Sequence, residues 1–260
     1  MAETTLTWQP FAIALVGGLL PALVWLWFWM WQDKKTPEPK GLIALSFFAG
    51  MLIVFFVLPL QQLVAASMSL IMATSDTLAF KLALVPPEEQ TVRVTLWAFI
   101  EEFAKYSTVF LIAFRSKHFD EPKDAIIYLI TAALGFAAME NTMYLYKIIT
   151  DPMSTGVIAG LDNVSSRFIG ATTVHIVSSA FIGIAVAFVF YAPRFIKIIA
   201  TTIGILVATL LHAYFNLSII LSDTTLKQLL MFTPFWAAIV IIIILLALIG
   251  KFTKTNKIIN

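Results

Sequence analysis

Apolar runs long enough to cross a lipid bilayer recur along the whole chain. A membrane-spanning helix needs about 20 apolar residues, and seven stretches reach that length. These predicted spans are Phe11–Trp31, Leu42–Ala73, Val94–Phe114, Ala125–Lys147, Phe168–Ala192, Ile198–Leu221 and Leu229–Gly250. In the overlong second stretch, Pro59 followed by Gln61 and Gln62 predicts a kink with an interfacial continuation. The pattern therefore predicts an all-α, polytopic transmembrane helical bundle of about seven spans.

Composition agrees with this pattern. The 260 residues are 60% hydrophobic and 12% charged, whereas a soluble domain carries about 25% charged residues. The chain has no cysteine, which excludes thiol chemistry and thiolate metal ligands. Its net charge of +2 gives no sign of nucleic-acid binding, and we expect none. We expect one transmembrane domain over residues 1–260, with a catalytic helical core over residues 88–221.

The basic residues between the spans predict the orientation of the chain. Eleven lie on one side of the predicted spans and five on the other. The richer side carries Lys34, Lys35, Lys40, Arg115, Lys117, Lys123, Arg194, Lys197, Lys251, Lys254 and Lys257. Because lysine and arginine are enriched in cytoplasmic loops, we expect this side to be cytoplasmic. The N-terminus is then outside and the C-terminus inside.

The third predicted span carries two adjacent carboxylates, Glu101 and Glu102. Each ionised group near the middle of a membrane helix costs about 2.5–3.5 kcal/mol on insertion scales. Lys105 lies four residues after Glu101 and three after Glu102, so it shares their face of the helix and can neutralise one of them. Charges persist at such a position where they line a wet cavity, pair with a partner or take part in chemistry. The doublet is therefore a candidate functional site.

Other ionisable residues are predicted to lie at the same depth in the membrane. Counting about 1.5 Å per residue from the outer end of each span, Glu101, Glu140 and His175 lie about 10 Å deep and His212 about 13 Å. Each of these residues alone has a structural interpretation as a buried hydrogen-bonding group. The presence of such residues at one membrane depth on four helices is less easily explained by separate structural roles. We therefore expect Glu101, Glu102, Glu140, His175 and His212 to form one site.

Three further polar residues have weaker expectations. Asn216 stands one turn after His212, where it can orient the imidazole or stabilise an oxyanion. Arg167 is expected to be an interfacial residue that supports the site. His118 lies in a short charged loop and is expected to be solvated, without a role in the site.

The predicted cluster can perform metal-assisted hydrolysis. Two histidines and a glutamate form a catalytic zinc ligand set, which His175, His212 and Glu140 could supply. Glu101 or Glu102 would then be the general base. A metal-free alternative, in which a buried glutamate activates water with the help of a histidine, stays open. Either version predicts hydrolysis of an amide bond presented within the membrane.

The ordered set of motifs resembles the PrsW family of intramembrane proteases. It consists of Glu101-Glu102-x-x-Lys105, Phe136-x-x-x-Glu140, a lone His175 and His212-x-x-x-Asn216. The related type II CAAX prenyl endopeptidases, of the superfamily that includes the Abi proteins, carry an arginine one place after the lysine position and a histidine at the Glu140 position. Asn216 departs from the PrsW pattern, whose last motif more often ends in an acidic residue, and resembles the CAAX branch.

The resemblance implies a protease of the prokaryotic cytoplasmic membrane. Its substrate would be a single-pass membrane protein cut near the outer membrane face, and members of the family are associated with the first cleavage of anti-sigma factors. The alternative is a proton- or cation-coupled transporter or channel lined by the glutamates and histidines. That interpretation predicts an inverted repeat with broken helices, and the sequence shows no such symmetry. A bis-histidine haem site fits poorly with so many carboxylates at the same level.

Overall fold

A computed structural model describes residues 8–34, 37–74, 86–151, 170–221 and 225–259 of the chain. Within these ranges the regular elements are seven α-helices. They are α1 (Trp8–Gln32), α2 (Lys40–Thr74), α3 (Pro86–Ile112), α4 (Asp124–Thr150), α5 (Thr172–Phe188), α6 (Arg194–Leu221) and α7 (Thr225–Ile259). The prediction of an all-helical chain is confirmed.

Five of the described helices, α1, α2, α4, α6 and α7, are long and apolar enough to cross a membrane. The apolar helix α5 is shorter, with 17 residues, and α3 carries the buried charges of the third predicted span. These properties confirm a polytopic membrane bundle with about seven spans. The chain is an integral membrane protein.

Helix α2 runs without interruption from Lys40 to Thr74, with Pro59 inside it. Leu63–Ala73 thus continues the same helix, while the kink and the interfacial position stay predictions. A proline removes one backbone hydrogen bond, and packing against neighbouring helices can keep the remaining turns in place. As a result, Gln61 faces the interior of the bundle with 8% of its surface exposed.

Helix α4 forms the centre of the bundle and packs against α1, α2 and α5. Small residues allow the backbones to approach closely. A Cβ at Gly135 would overlap the carbonyl oxygen of Phe47 on α2, and a Cβ at Gly183 on α5 would lie 2.7 Å from Cα of Ile126. Close approach at small residues is typical of membrane helix pairs. This packing holds α2 and α5 at fixed distances from the central helix.

The tryptophans of α1 divide between two environments. Trp25 and Trp29 are buried in the main apolar cluster, whereas Trp27 and Trp31 are 70% and 53% exposed. The alternation follows from the helix period, because positions four apart share a face and positions two apart lie on opposite faces. Trp27 and Trp31 therefore face outward, and Trp25 and Trp29 are core residues.

Candidate active site

The polar residues predicted to converge do so between α3, α4, α5 and α6. Glu101, Glu102 and Lys105 come from α3, Glu140 from α4, His175 from α5 and His212 from α6. We call these six residues the central cluster. All of them are buried except Glu140, whose side chain is 32% exposed. Ionisable groups that lie far apart in sequence are thus gathered in the interior of the bundle.

Glu102 accepts hydrogen bonds from three side chains. Its Oε1 accepts hydrogen bonds from Lys105 Nζ at 2.5 Å and from His212 Nδ1 at 2.8 Å. Its Oε2 accepts a hydrogen bond from Ser179 Oγ at 3.0 Å. Neither Glu102 nor Lys105 has exposed side-chain surface. With donors on both oxygens and a buried ion pair, Glu102 is held as a carboxylate that ties α3 to α5 and α6.

Glu101 has a different environment, because adjacent helical residues point about 100° apart. Its Oε1 accepts a hydrogen bond from Gln61 Nε2 of α2 at 2.7 Å. Its Oε2 is buried without a hydrogen-bond partner and lies 3.6 Å from His212 Nε2. A buried carboxylate oxygen without a donor is costly, so this atom is positioned to take a ligand.

The hydrogen bonds of His212 assign its tautomer. Glu102 can only accept at Nδ1, so His212 Nδ1 carries the proton. In a neutral ring the lone pair is then on Nε2, the atom that lies 3.6 Å from Glu101 Oε2. Nε2 of a neutral ring and Glu101 Oε2 are both acceptors, and together they can bind one group, such as a metal ion or a water molecule.

His175 is bonded through both of its nitrogens. Lys105 Nζ donates to His175 Nδ1 at 3.1 Å, and His175 Nε2 lies 2.9 Å from Glu140 Oε2. Because an ammonium has no acceptor, Nδ1 accepts and Nε2 carries the proton that is donated to Glu140. The imidazole stands edge-on to His212, with 4.9 Å between ring centroids, and packs against the ring of Phe136.

The carboxylate grouped with the two histidines is Glu101. One ligand atom from each of Glu101, His175 and His212 lies within 4.8 Å of the others. The sequence-based ligand set used Glu140 instead of Glu101. In the structure, Glu140 is the hydrogen-bond partner of His175. Two imidazoles and one carboxylate fit a catalytic zinc site, and the contact of Glu102 with Nδ1 of His212 matches the carboxylate–histidine pair typical of such sites.

The predictions for the remaining polar residues are tested to different extents by the structure. The ion pair between Lys105 and Glu102 is confirmed. Asn216 is half-buried and makes no hydrogen bond within the described residues, so its role stays a prediction. His118 is exposed, as expected of a loop residue. Arg167 lies outside the described residues.

Sequence reasoning missed Gln61 as part of the site. In the sequence, Gln61 and Gln62 after Pro59 predict only a kink, yet Gln61 contacts Glu101 directly. The available signal was a strongly polar amide inside an apolar span, which has to find a partner in the bundle. Ser179, one turn after His175, is similarly revealed as a donor to Glu102.

Comparisons with known proteins give the relatives of this chain. The sequence profile of the PrsW family, described as an intramembrane metalloprotease family, matches residues 38–249. The chain is 30% identical to the protease PrsW of Geobacillus kaustophilus over 150 residues, which cover 58% of this chain and 58% of the relative. It is 24% identical to the protease PrsW of Bacillus subtilis over 210 residues, or 79% of this chain and 82% of the relative.

A third relative, the protease PrsW of Oceanobacillus iheyensis, is 29% identical over 131 residues, which cover 50% of this chain and 53% of the relative. The matched regions of the first and third relatives thus span little more than half their lengths. No solved structure matches the chain. The family profile spans all of the residues of the central cluster. This chain therefore belongs to the PrsW family of intramembrane metalloproteases.

Proposed function

We propose that the chain is an endopeptidase that hydrolyses an amide bond of a membrane-anchored protein within the bilayer. The observation that carries the proposal is the gap between Glu101 Oε2 and His212 Nε2. Glu101 Oε2 is buried without a hydrogen bond, and the histidine nitrogen lies 3.6 Å away. A pair of acceptors that share one ligand position can bind and deprotonate water.

The surrounding hydrogen bonds assign a role to each side chain. Glu102 holds His212 in the tautomer that leaves Nε2 available. Lys105 donates to both Glu102 and His175 and thereby neutralises the buried charge. The proton on His175 Nε2 can pass to Glu140 Oε2, 2.9 Å away, as Nδ1 takes a proton from Lys105. Glu140 is the partly exposed member of the cluster, which makes it the group that can exchange this proton with water and with the leaving amine.

Support for a metal comes from the donor set and from the orphaned carboxylate oxygen. Glu101, His175 and His212 would hold the ion, and we propose Zn²⁺ as its identity because this ligand set suits zinc. A bound zinc would supply Lewis acidity and a hydroxide-like nucleophile near neutral pH. Binding through His175 Nε2 requires that this nitrogen give its proton to Glu140 while Nδ1 takes one from Lys105, so that the imidazole stays neutral.

The proposed substrate is a single-pass membrane protein cut near the outer membrane face. The supporting argument is the excess of basic residues on one side of the spans, which predicts an outer N-terminus and a cytoplasmic C-terminus. By resemblance to the PrsW family, an anti-sigma factor is the substrate class we propose to test first. Cleavage of such a protein would release a transcriptional response from the prokaryotic cytoplasmic membrane.

The test is a terminus-resolved comparison of membrane proteomes from cells that express the native chain or the Glu101→Gln variant. We expect fragments cut near a transmembrane boundary only with the native chain. The matched controls are His212→Ala, expected to be inactive, and His118→Ala, expected to retain activity because His118 is exposed. Identical fragment sets for the native chain and Glu101→Gln under several stress conditions would contradict the proposal.

Metal dependence is measured separately on the purified full chain. We expect bound zinc in the native protein and loss of that zinc in Glu101→Gln and His212→Ala, because each variant removes one ligand. Equal metal content in all three proteins would contradict the zinc assignment. Native activity that survives metal removal would instead favour the metal-free glutamate mechanism.

A further inference from the structure

Gln61 lies outside the motifs that suggest the family, yet among the described residues it is the hydrogen-bond donor to Glu101. Its amide Nε2 donates to Glu101 Oε1 at 2.7 Å, and the residue is 8% exposed. An amide inside a membrane helix has to find a partner within the protein. A carboxylate accepts and does not donate, so the amide nitrogen is the atom that faces it.

A second contact fixes the position of Gln61 relative to α3. The indole Nε1–H of Trp97 donates to the backbone carbonyl of Gln61 at 3.1 Å. Trp97 and Glu101 are four residues apart, so they lie on one face of α3, one turn from each other. Residue 61 is thus held at its backbone by Trp97 and at its side chain by Glu101.

The hydrogen bond determines which carboxylate oxygen is available. With Oε1 engaged by Gln61, Glu101 Oε2 is the atom that remains without a donor and lies 3.6 Å from His212 Nε2. Without the amide, rotation about the terminal torsion of Glu101 is free to move Oε2 away from the histidine, because such torsions are broad. A partner that orients a metal-ligating or catalytic carboxylate typically contributes about 10–100-fold to affinity or activity.

We infer that Gln61 is a positioning residue, which acts through Glu101 by holding its Oε2 toward His212. This inference rests on the proposed function for its kinetic consequence. Its structural content, the hydrogen bond to the Glu101 carboxylate, is independent of that function. The hydrogen bond and its kinetic consequence can therefore be tested separately.

The first test measures the Glu101 carboxylate by infrared spectroscopy of the full chain with ¹³C-labelled glutamate. The difference spectrum between the native protein and Glu101→Gln assigns the Glu101 band. We expect this band to shift in Gln61→Met, which has a similar shape and no donor. Gln62→Met is the matched control, because Gln62 is adjacent and exposed, and it should leave the band unchanged. A Glu101 band at the native position in Gln61→Met would overturn the inference.

The second test uses the substrate fragment identified by the proteome comparison. We expect Gln61→Met to lower kcat by about 10–100-fold with KM within about twofold, because substrate binding does not involve this contact. Gln62→Met should match the native chain.

The outcomes separate the two proposals. A native chain that cleaves nothing would contradict the proposed function, while the infrared comparison would still decide the role of Gln61. A native chain that cleaves normally, together with a Gln61→Met variant of native kcat, would overturn the positioning role alone. A rise in KM with unchanged kcat would also overturn it.

Discussion

Among the described residues, buried charges form two clusters, and only in the central cluster does an unpaired carboxylate oxygen lie beside a histidine nitrogen. The end cluster lies at the start of α4, about 24 Å along that helix from Glu140. It consists of Asp33, Glu38, Lys123, Asp124 and Tyr128. Both contain carboxylates and a lysine in a chain that is otherwise strongly apolar.

In the end cluster each carboxylate accepts at least one hydrogen bond, although Asp124 Oδ1 is buried without one. Asp33 pairs with Lys123 and accepts from the backbone N–H of Glu38, and Tyr128 donates to Glu38. Asp124 Oδ2 accepts from two backbone N–H groups, at 3.0 and 2.7 Å. These bonds join the ends of α1 and α2 to the start of α4. The arrangement is that of a structural clamp.

The central cluster has the same kinds of bonds around Glu102, and Glu101, like Asp124, has one oxygen without a donor. The difference is the neighbouring group, because Glu101 Oε2 lies 3.6 Å from the imidazole nitrogen Nε2 of His212. Neither burial nor an unpaired oxygen alone therefore marks a functional charge, because both clusters have them. The informative feature is an unpaired carboxylate oxygen beside an imidazole nitrogen.

The largest expected effect is that of Glu101→Gln on activity. We expect proteolysis to fall by about 10²–10⁴-fold, as for loss of a general base or of an equivalent group, with little change in thermal stability. The measurement is fragment formation alongside a melting curve. Glu89→Gln, the same substitution three turns earlier on α3, is the control and should be active. Near-native activity of the Glu101→Gln protein would contradict the functional difference between the two clusters.

Glu102→Gln should affect both activity and stability. It leaves Lys105 buried without its ion-pair partner, and breaking a buried pair costs about 3–5 kcal/mol. The measurement is the unfolding free energy in mixed micelles. The double variant Glu102→Gln/Lys105→Met should recover stability but stay inactive, because His212 still lacks its carboxylate partner. Recovery of activity in the double variant would remove Glu102 from the mechanism.

Lys123→Met is expected to lower stability while leaving proteolysis per folded molecule unchanged. The ion pair with Asp33 is lost, but the lysine side chain is 10% exposed, so water compensates in part. We expect a smaller loss than for Glu102→Gln, measured under the same unfolding conditions. Lys117→Met, at an exposed loop position, is the control. Loss of activity in folded Lys123→Met protein would show that the end cluster is coupled to the site.

The smallest expected effect is a pH dependence in the end cluster. Burial raises the pKa of Asp33 above its ordinary value of 3.8, although Lys123 acts in the opposite direction. The stability contributed by a group with a raised folded-state pKa is complete below its unfolded pKa and is lost as pH rises through the folded value. The melting temperature of the native chain should therefore fall relative to that of Asp33→Asn as pH rises from about 4. A constant difference between the two proteins would contradict this assignment.

Much of the candidate site was predictable from local spacing. Lys105 lies three residues after Glu102, and that separation alone predicts the observed ion pair. The common depth of Glu140, His175 and His212 followed from residue counts along apolar spans, and contacts of 2.9 Å between His175 and Glu140 and 2.8 Å between His212 and Glu102 confirm the convergence.

The different hydrogen-bond partners of Glu101 and Glu102 were not predictable from spacing. Adjacent residues differ by about 100° in direction on a helix, so the partners of Glu101 and Glu102 depend on how α3 is rotated against α2, α5 and α6. The same holds for Gln61, whose partner lies 40 residues away. Sequence spacing carries no information about these rotations.

The sequence by itself determined the class of the protein, because seven long apolar runs have few alternatives to a helical membrane bundle. It also determined which ionisable residues had to be buried, since few positions within the spans are charged. Only the tertiary structure decided that Glu102 is fully paired and Glu101 is not. That decision depends on donors from four helices, and packing between helices, not the order of residues along one of them, places those donors.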